Sequence, residues 1–315
     1  MPASPAPRLP FLDKARGIAL AAMVVYHFVW DLSFLGLIDP AIRDSLLWTS
    51  FARLIAASFL ILAGVGLVLA HGQAFDRAKF LRRLARVAGA ALLVTGGTWL
   101  VFPDAFVFFG ILHAIALGSV LALPFLRLPF WLTLLAAGAV WLLPFLVQSP
   151  AMAAPALIWI GLGDRLPNST DFVPLFPWFG FLLLGVALAR LVDWTRFAGP
   201  EPVNRPGRLL VMAGRRSLLV YLLHQPLLFG TLWLVALVAV KQPDPEARPF
   251  LAACRAQCEA NGADAPTCTR LCQCAVDATR SEGLWASLLR DQLNDSQRSR
   301  VEAISRRCAE MSTLR

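Results

Sequence analysis

Cysteine is absent from the first 253 residues of this chain, because all six cysteines lie between positions 254 and 308. Disulfide bonds are therefore confined to the end of the sequence. Charged residues are also scarce, at 16%, whereas apolar residues make up 57% and the mean hydropathy is +0.63. This composition excludes an ordinary soluble domain and indicates a polytopic membrane protein.

The apolar residues form seven runs of roughly the length that a bilayer requires. We predict spans at 17–38, 46–70, 87–103, 108–126, 130–147, 175–192 and 217–240. Hydropathy then falls at a proline-rich polar segment that begins at Lys241. The sequence therefore predicts an all-α membrane domain over residues 1–240, with about seven transmembrane helices, and a small helical C-terminal domain over residues 241–315.

Lysine and arginine are unevenly distributed among the connections between these spans. The N-terminal segment and the second and sixth connections are basic, whereas the first and fifth have one arginine each and the third has none. Because positive charge marks cytoplasmic loops, we predict a cytoplasmic N-terminus and a periplasmic C-terminal tail in a bacterial inner membrane. Basic loops beside anionic membrane lipid explain the net charge of +9, so we expect no nucleic-acid partner.

The cysteines of the tail predict disulfide bonds, because disulfides persist in oxidising compartments. The tail contains two Cys-x3-Cys pairs, and the members of each pair share one helix face. Although six cysteines allow many pairings, two antiparallel helices favour one of them. It joins Cys254 to Cys272 and Cys258 to Cys268, and leaves Cys274 for Cys308. A zinc site is the alternative, but the tail has no histidine and lacks Cys-x2-Cys spacing, so we expect no metal.

The first span carries a histidine and a carboxylate, which are costly in hydrocarbon and mark functional sites in membrane proteins. His27 and Asp31 are four residues apart and share a helix face, so the carboxylate could orient the imidazole as a general base. Arg16 lies eleven residues before His27, about 16 Å along the helix axis, and hence near the cytoplasmic surface. A cleaved signal peptide would be shorter and would lack these two polar residues.

Two further polar residues lie at a depth similar to that of Asp31. Arg53, in the second span, could form a structural ion pair with Asp31, or line an outward-facing cavity together with His27 and Asp31. His113, in the outer third of the fourth span, could reach the same cavity. Either Arg53 or His113 could then stabilise a developing oxyanion.

Other basic residues lie closer to the cytoplasmic surface. We expect His224 near the inner surface, beside a helix kink at Pro226. Arg83 and Arg86, in the second connection, are explained by membrane topology alone. If a phosphorylated donor docks there, their spacing on one helix face suits them to bind its phosphates.

Several short motifs occur in order along the predicted spans. They are Arg16-Gly-Ile-Ala-Leu, Tyr26-His27-Phe, Phe109-Gly-Ile-Leu-His113, Phe176-Pro-Trp-Phe-Gly180 and Ser217-Leu-Leu-Val-Tyr-Leu-Leu-His-Gln-Pro226. Over about residues 8–240 the sequence resembles the heparan-α-glucosaminide N-acetyltransferase catalytic-domain family. The spacing from Arg16 to His27 and the Arg83-x-x-Arg86 pattern also resemble the acyltransferase-3 proteins of the same superfamily.

The resemblance implies transfer of an acyl group, typically acetyl, from cytoplasmic acyl-CoA to a hydroxyl or amine of an extracytoplasmic glycan or lipid-linked acceptor. It implies that His27 is the catalytic histidine and that Arg16, Arg83 and Arg86 bind the donor. Lysosomal members have asparagine at the place of His27 and an active histidine in the following loop. Residues 39–45 contain no histidine here, so glucosaminide specificity does not transfer. The cysteine-rich tail lies outside the resemblance.

Two other classes of membrane protein also use buried histidines. A transporter would relay protons through them and would not consume acyl-CoA. A haem-binding cytochrome requires two histidines that face each other at one depth, and His27 and His113 are the pair that could do so.

Overall fold

The computed structural model of the chain describes residues 9–39, 41–197, 199, 202, 204–239, 247–290 and 292–313. The chain divides into two compact units, Met1–Ala236 and Leu237–Arg315, here called the membrane unit and the tail unit. Every regular element in the described ranges is helical, in agreement with the predicted all-α class. The polar segment at 241–246, which the sequence predicts as a linker, lies outside the described residues.

Nine α-helices are described in the membrane unit, joined by turns, loops and 3-10 segments, and the last helix runs past Ala236 to Ala239. They are α1 (Pro10–Phe34), α2 (Ala41–Asp44), α3 (Leu46–His71), α4 (Arg77–Val101), α5 (Ile111–Leu121), α6 (Phe130–Leu146), α7 (Leu175–Leu191), α8 (Arg205–Arg215) and α9 (Ser217–Ala239).

Four of these helices, α1, α3, α4 and α9, are long and apolar enough to cross a membrane. The apolar helices α5, α6 and α7 lie at the remaining predicted spans but have only 11, 17 and 17 residues. The structure therefore supports a membrane protein, whereas seven crossings stay a prediction.

Helix α4 begins at Arg77, well before the predicted start of the third span at residue 87. Asp76 caps the helix, because its side chain accepts a hydrogen bond from the Lys79 N–H at 3.0 Å. The basic segment that the sequence assigns to a connection therefore forms the first turns of α4. Hydropathy cannot locate this boundary, because lysine and arginine are good helix formers.

Helices α3 and α7 pack with their backbones in direct contact. A Cβ atom on Gly64 would collide with the carbonyl oxygen of Leu182, and one on Gly185 would collide with that of Ile61. Small residues at such crossings allow the close van der Waals contact that holds helices together in membranes. This pair of helices forms the centre of the membrane unit.

Helices α1 and α8 meet in the same way. A Cβ atom on Gly17 would collide with the Leu210 carbonyl oxygen, and one on Gly214 would collide with that of Asp13. Because α8 is followed almost at once by α9, this contact holds the start of α9 beside the first part of α1.

The two ends of the membrane unit differ in character. At one end, here called the arginine end, Arg16 and Arg83 meet at Gly66. At the opposite end, here called the loop end, segments 102–110 and 161–174 are joined by hydrogen bonds. The Thr170 N–H donates to the Ala105 carbonyl at 2.9 Å, and three similar bonds surround it. Two loops that the predicted topology assigns to the same side of the membrane are thus found together.

The described part of the tail unit contains four further helices, α10 (Arg248–Ala260), α11 (Ala265–Ser281), α12 (Trp285–Leu289) and α13 (Asp295–Thr313). Its three disulfide bonds have the pairing that the sequence predicts, Cys254–Cys272, Cys258–Cys268 and Cys274–Cys308. None of the six cysteines remains as a thiolate for zinc. Because the unit is small, its hydrophobic core is small too, and the disulfide bonds contribute much of its stability.

Candidate functional site

His27 on α1 and His224 on α9 lie side by side, with their ring centroids 5.0 Å apart. The prediction that His224 lies near the inner surface, apart from His27, is wrong. Helix α9 starts at Ser217, next to the first part of α1, directly after the end of α8. His224 lies seven residues after Ser217, which is about 10 Å further along the axis of α9. The first and last helices of the membrane unit therefore supply one imidazole each.

Both imidazoles have a nitrogen with no hydrogen-bond partner. The Nδ1 atom of His224 lies 2.6 Å from the Tyr221 carbonyl oxygen and must be the donor, because a carbonyl only accepts. Nε2 of His224 and Nδ1 of His27 are buried without a partner among the described residues. A neutral imidazole with a free nitrogen is a group that can take up a proton.

Asp31 is hydrogen-bonded to Gln225, which was not predicted as its partner. The Gln225 side chain donates a hydrogen bond of 2.7 Å from Nε2 to Oδ1 of Asp31, which is fully buried. Oδ2 of Asp31 has no partner among the described residues, so Asp31 does not hydrogen-bond to His27. Asp31 therefore ties α1 to α9 and does not directly orient the imidazole.

The predicted ion pair between Asp31 and Arg53 is wrong. Arg53 is exposed, as is its neighbour Leu54, whereas Ile55 is buried. This face of α3 points away from the interior of the bundle. The prediction matched the depth of Arg53 to that of Asp31, but it did not take into account the direction in which the Arg53 side chain leaves the helix.

His113 serves as a link between segments at the loop end. Its Nδ1 accepts the Gly110 N–H at 3.2 Å, and its Nε2 lies 3.3 Å from the Thr95 hydroxyl. That hydroxyl donates to the Val107 carbonyl at 2.7 Å, which leaves it free to accept from Nε2. Since both ring nitrogens are bonded, His113 joins α4 to α5, and the structure does not bring it into contact with His27.

A cavity of about 710 Å³ opens within the membrane unit, and five arginines line it. No acidic residue is among the described residues that line it. The five are Arg16, Arg83 and Arg86, which the sequence analysis assigns to the donor, and Arg215 and Arg216, which it does not. Arg215 and Arg216 directly precede the Ser217 motif and could have been predicted as donor-binding residues. They were instead attributed to the positive-inside bias alone.

Arg16 and Arg83 come from different helices and meet at a gap in α3. A Cβ atom on Gly66 would lie 2.9 Å from one Nη atom of Arg16 and 4.0 Å from one of Arg83. Asp13 bonds to Arg16 and to Arg215, each at 3.3 Å. The positive charge that remains makes this part of the cavity suited to a polyanion.

The opposite part of the cavity is apolar and reaches toward the histidines. Phe59, Ile111 and Leu222 line it together with Tyr221. The ring of Tyr221 lies 5.7 Å from that of His224, which in turn contacts His27. One cavity thus extends from the arginines to a residue that adjoins the histidine pair.

Asp171, in segment 161–174, approaches the same region from the loop end. Its Oδ2 accepts the Ile111 N–H at 3.1 Å, at a place where only a glycine fits at position 110. Burial raises the pKa of Asp171 to about 6, against the opposing effect of that hydrogen bond. The carboxyl interacts electrostatically with Tyr26 and Tyr221. Asp171 was not predicted as a site residue, although it is an acidic residue just before the Phe176 motif.

The sequence profile described as "Heparan-alpha-glucosaminide N-acetyltransferase, catalytic" matches residues 8–226. No curated protein and no solved structure matches the chain. The matched range contains both histidines, all five arginines and Asp171, and it ends before the tail unit. Because it covers well over half of the sequence, the chain belongs to the heparan-α-glucosaminide N-acetyltransferase catalytic family.

Proposed function

We propose that the protein is an integral membrane acyltransferase that moves an acyl group, in the first instance acetyl, from cytoplasmic acyl-CoA to an acceptor outside. The acceptor is a hydroxyl or amine of a glycan or lipid-linked molecule. One observation carries this proposal: a single cavity runs from five arginines to Tyr221, which adjoins the pair of His27 and His224. Membership of an acetyltransferase family supports the same reaction.

The two parts of the cavity match the two parts of the donor. Coenzyme A carries its phosphates at one end and its thioester at the other, joined by an extended arm. Arginine binds phosphate oxygens with paired hydrogen bonds, so Arg16, Arg83 and Arg86 hold the nucleotide, with Arg215 and Arg216 completing the site. The positive-inside bias of the sequence supports a cytoplasmic position for this end.

His27 acts as the general base. As the acceptor oxygen or nitrogen attacks the thioester carbon, its proton passes to the free nitrogen of His27. The tetrahedral intermediate collapses, the carbon–sulfur bond breaks, and the imidazolium returns the proton to the leaving thiolate. His224 supports the His27 ring from α9, and the bond between Asp31 and Gln225 keeps the two helices in register.

A transporter is the second candidate, because two adjacent imidazoles with unpartnered nitrogens can also relay protons. The two candidates differ in what they consume. A transporter leaves acyl-CoA intact, whereas an acyltransferase releases one free CoA thiol for every acyl group transferred.

The experiment uses membranes that contain the wild-type protein or the His27→Ala variant. They are incubated with acetyl-CoA that carries a radiolabel in the acetyl group, and CoA thiol release is followed in parallel. We expect a labelled glycan or lipid product with the wild type and not with the variant. In the wild type, the amount of CoA thiol released should equal the amount of acetyl group transferred. Absence of both signals in wild-type membranes that contain folded protein would refute the proposed function.

A further inference from the structure

Acyl transfer from a thioester needs a hydrogen-bond donor at the carbonyl oxygen, where negative charge develops. The two residues that the sequence analysis assigns to this task are unsuitable. Arg53 is exposed on the outer face of α3, and both ring nitrogens of His113 are already bonded. Another residue must therefore supply a hydrogen-bond donor within the arginine-lined cavity.

Tyr221 is the polar residue at the apolar part of that cavity. Among the described residues, the polar ones that line the cavity are the five arginines, Ser217 and Tyr221. Ser217 begins α9 next to the arginines, and Tyr221 lies four residues, or about 6 Å, further along the helix axis. Its neighbours across the cavity are apolar, among them Phe59 and Ile111. Among the described polar residues that line the cavity, Tyr221 is therefore the one that lies beyond the arginines and Ser217.

The surroundings of Tyr221 keep its hydroxyl available as a donor. The described residues offer the hydroxyl no hydrogen-bond partner, while the backbone carbonyl of Tyr221 accepts from His224 and so places that imidazole beside it. Asp171 interacts electrostatically with the phenol from the loop end.

We propose that Tyr221 is a catalytic residue whose hydroxyl donates a hydrogen bond to the thioester carbonyl oxygen of the acyl donor. The inference rests on the proposed acyltransferase function. When the acceptor attacks, the carbonyl double bond opens and the oxygen becomes an oxyanion held by the Tyr221 O–H, which keeps its proton. When the carbon–sulfur bond breaks, the double bond re-forms and the hydrogen bond weakens again.

The test compares Tyr221→Phe with Tyr26→Phe. The chain has only two tyrosines, and Tyr26 also adjoins a site histidine, with its ring 5.4 Å from that of His27, but does not line the cavity. Removing one oxyanion donor lowers kcat by roughly 100- to 1,000-fold. We expect this loss for Tyr221→Phe, with little change in KM for acetyl-CoA, and a loss below about tenfold for Tyr26→Phe.

Outcomes for this proposal and for the proposed function are distinct. If wild-type protein transfers no acetyl group, the acyltransferase assignment fails, and the role of Tyr221 fails with it. If the wild type is active and Tyr221→Phe retains kcat within about threefold, the role of Tyr221 alone is overturned. Equal losses in the two phenylalanine variants would also overturn it, because the hydroxyl at the cavity would then have no special effect.

A second measurement applies if Tyr221→Phe does not fold. In a Tyr26→Phe background, 3-fluorotyrosine replaces the remaining tyrosine, which makes the phenol more acidic without changing its shape. The charged and titratable groups around Tyr221 are Asp171 from the loop end, His224 on its own helix, His27 on α1, and the five arginines of the cavity. These are unchanged, so the alkaline loss of kcat should move to lower pH. A pH profile that does not move overturns the proposal.

Discussion

His27 and His224 are ring neighbours, although one lies on the first helix of the membrane unit and the other on the last. This contact joins α1 to α9 beside Tyr221, which lines the apolar part of the arginine-lined cavity. The family profile, which matches residues 8–226, includes both histidines.

Replacing His27 by alanine should lower kcat by roughly 100- to 10,000-fold, because a positioned general base contributes about this much. Thermal unfolding followed by tryptophan fluorescence should change little, since His27 Nδ1 gives up no hydrogen bond. Full activity in folded His27→Ala protein would show that the base is another group.

Replacing Gly66 by alanine should weaken donor binding without unfolding the protein. The added Cβ would lie 2.9 Å from the end of the flexible Arg16 side chain, which can move aside and leave its place near Arg83. We expect a severalfold rise in KM for acetyl-CoA at nearly constant kcat. Gly89→Ala on α4 is the matched control, because a Cβ there meets nothing within 4 Å. Equal KM values for the two variants would argue against phosphate binding at this place.

The bond between Asp31 and Gln225 should appear in a double-mutant cycle. Asp31→Leu and Gln225→Leu each leave the other partner buried without its bond, which costs about 1–3 kcal/mol of unfolding free energy. The double variant should lose less than the sum of the two. Additive losses, measured by unfolding in bicelles, would show that the two side chains do not interact.

Asp171 should make stability depend on pH. Its pKa is about 6 in the folded protein and 3.8 as the ordinary value, so between about pH 4 and 6 the folded state binds a proton that the unfolded state has lost. Stability should therefore fall as pH rises through this window. The Tm of Asp171→Asn should lack this decline, whereas the control Asp104→Asn, an exposed residue of segment 102–110, should keep it. Identical slopes in all three proteins would contradict the assignment.

The disulfides of the tail unit should differ in their effect on stability. Chain entropy predicts about 4 kcal/mol for Cys274–Cys308, whose cysteines are 34 residues apart, and about 3 kcal/mol for Cys258–Cys268, whose cysteines are 10 apart. Serine at both positions of each bridge, followed by unfolding of the tail in urea, measures the order. The reverse order would mean that native packing, and not loop length, decides it.

Periodicity and hydropathy predicted much of this structure. The positions of the seven apolar helices follow from runs of apolar residues, and the disulfide pairing follows from cysteines spaced four apart on two short helices. Both are local properties. The start of α4 was not predicted, because the first turns of this helix are polar and hydropathy detects only its apolar part.

The partners within the site could not be predicted in this way. Depth along a span follows from the sequence, and it put Arg53 at the level of Asp31. Which residue faces Asp31 depends on which helices are neighbours and how each is rotated, and that is set by glycine contacts such as Gly17 against Leu210. Asp171 was missed because its loop folds back between helices far away in the sequence.

The five arginines of the cavity come from three separate stretches of chain, around residues 16, 83 and 216. A molecule that binds them all acts as a reversible cross-link between the beginning, the middle and the end of the membrane unit. Half of the unit, expressed alone, would therefore be left without a complete anion site. Occupancy of the cavity should also stabilise the packing of α1, α4 and α8, so a bound polyanion would help to preserve the fold that binds it.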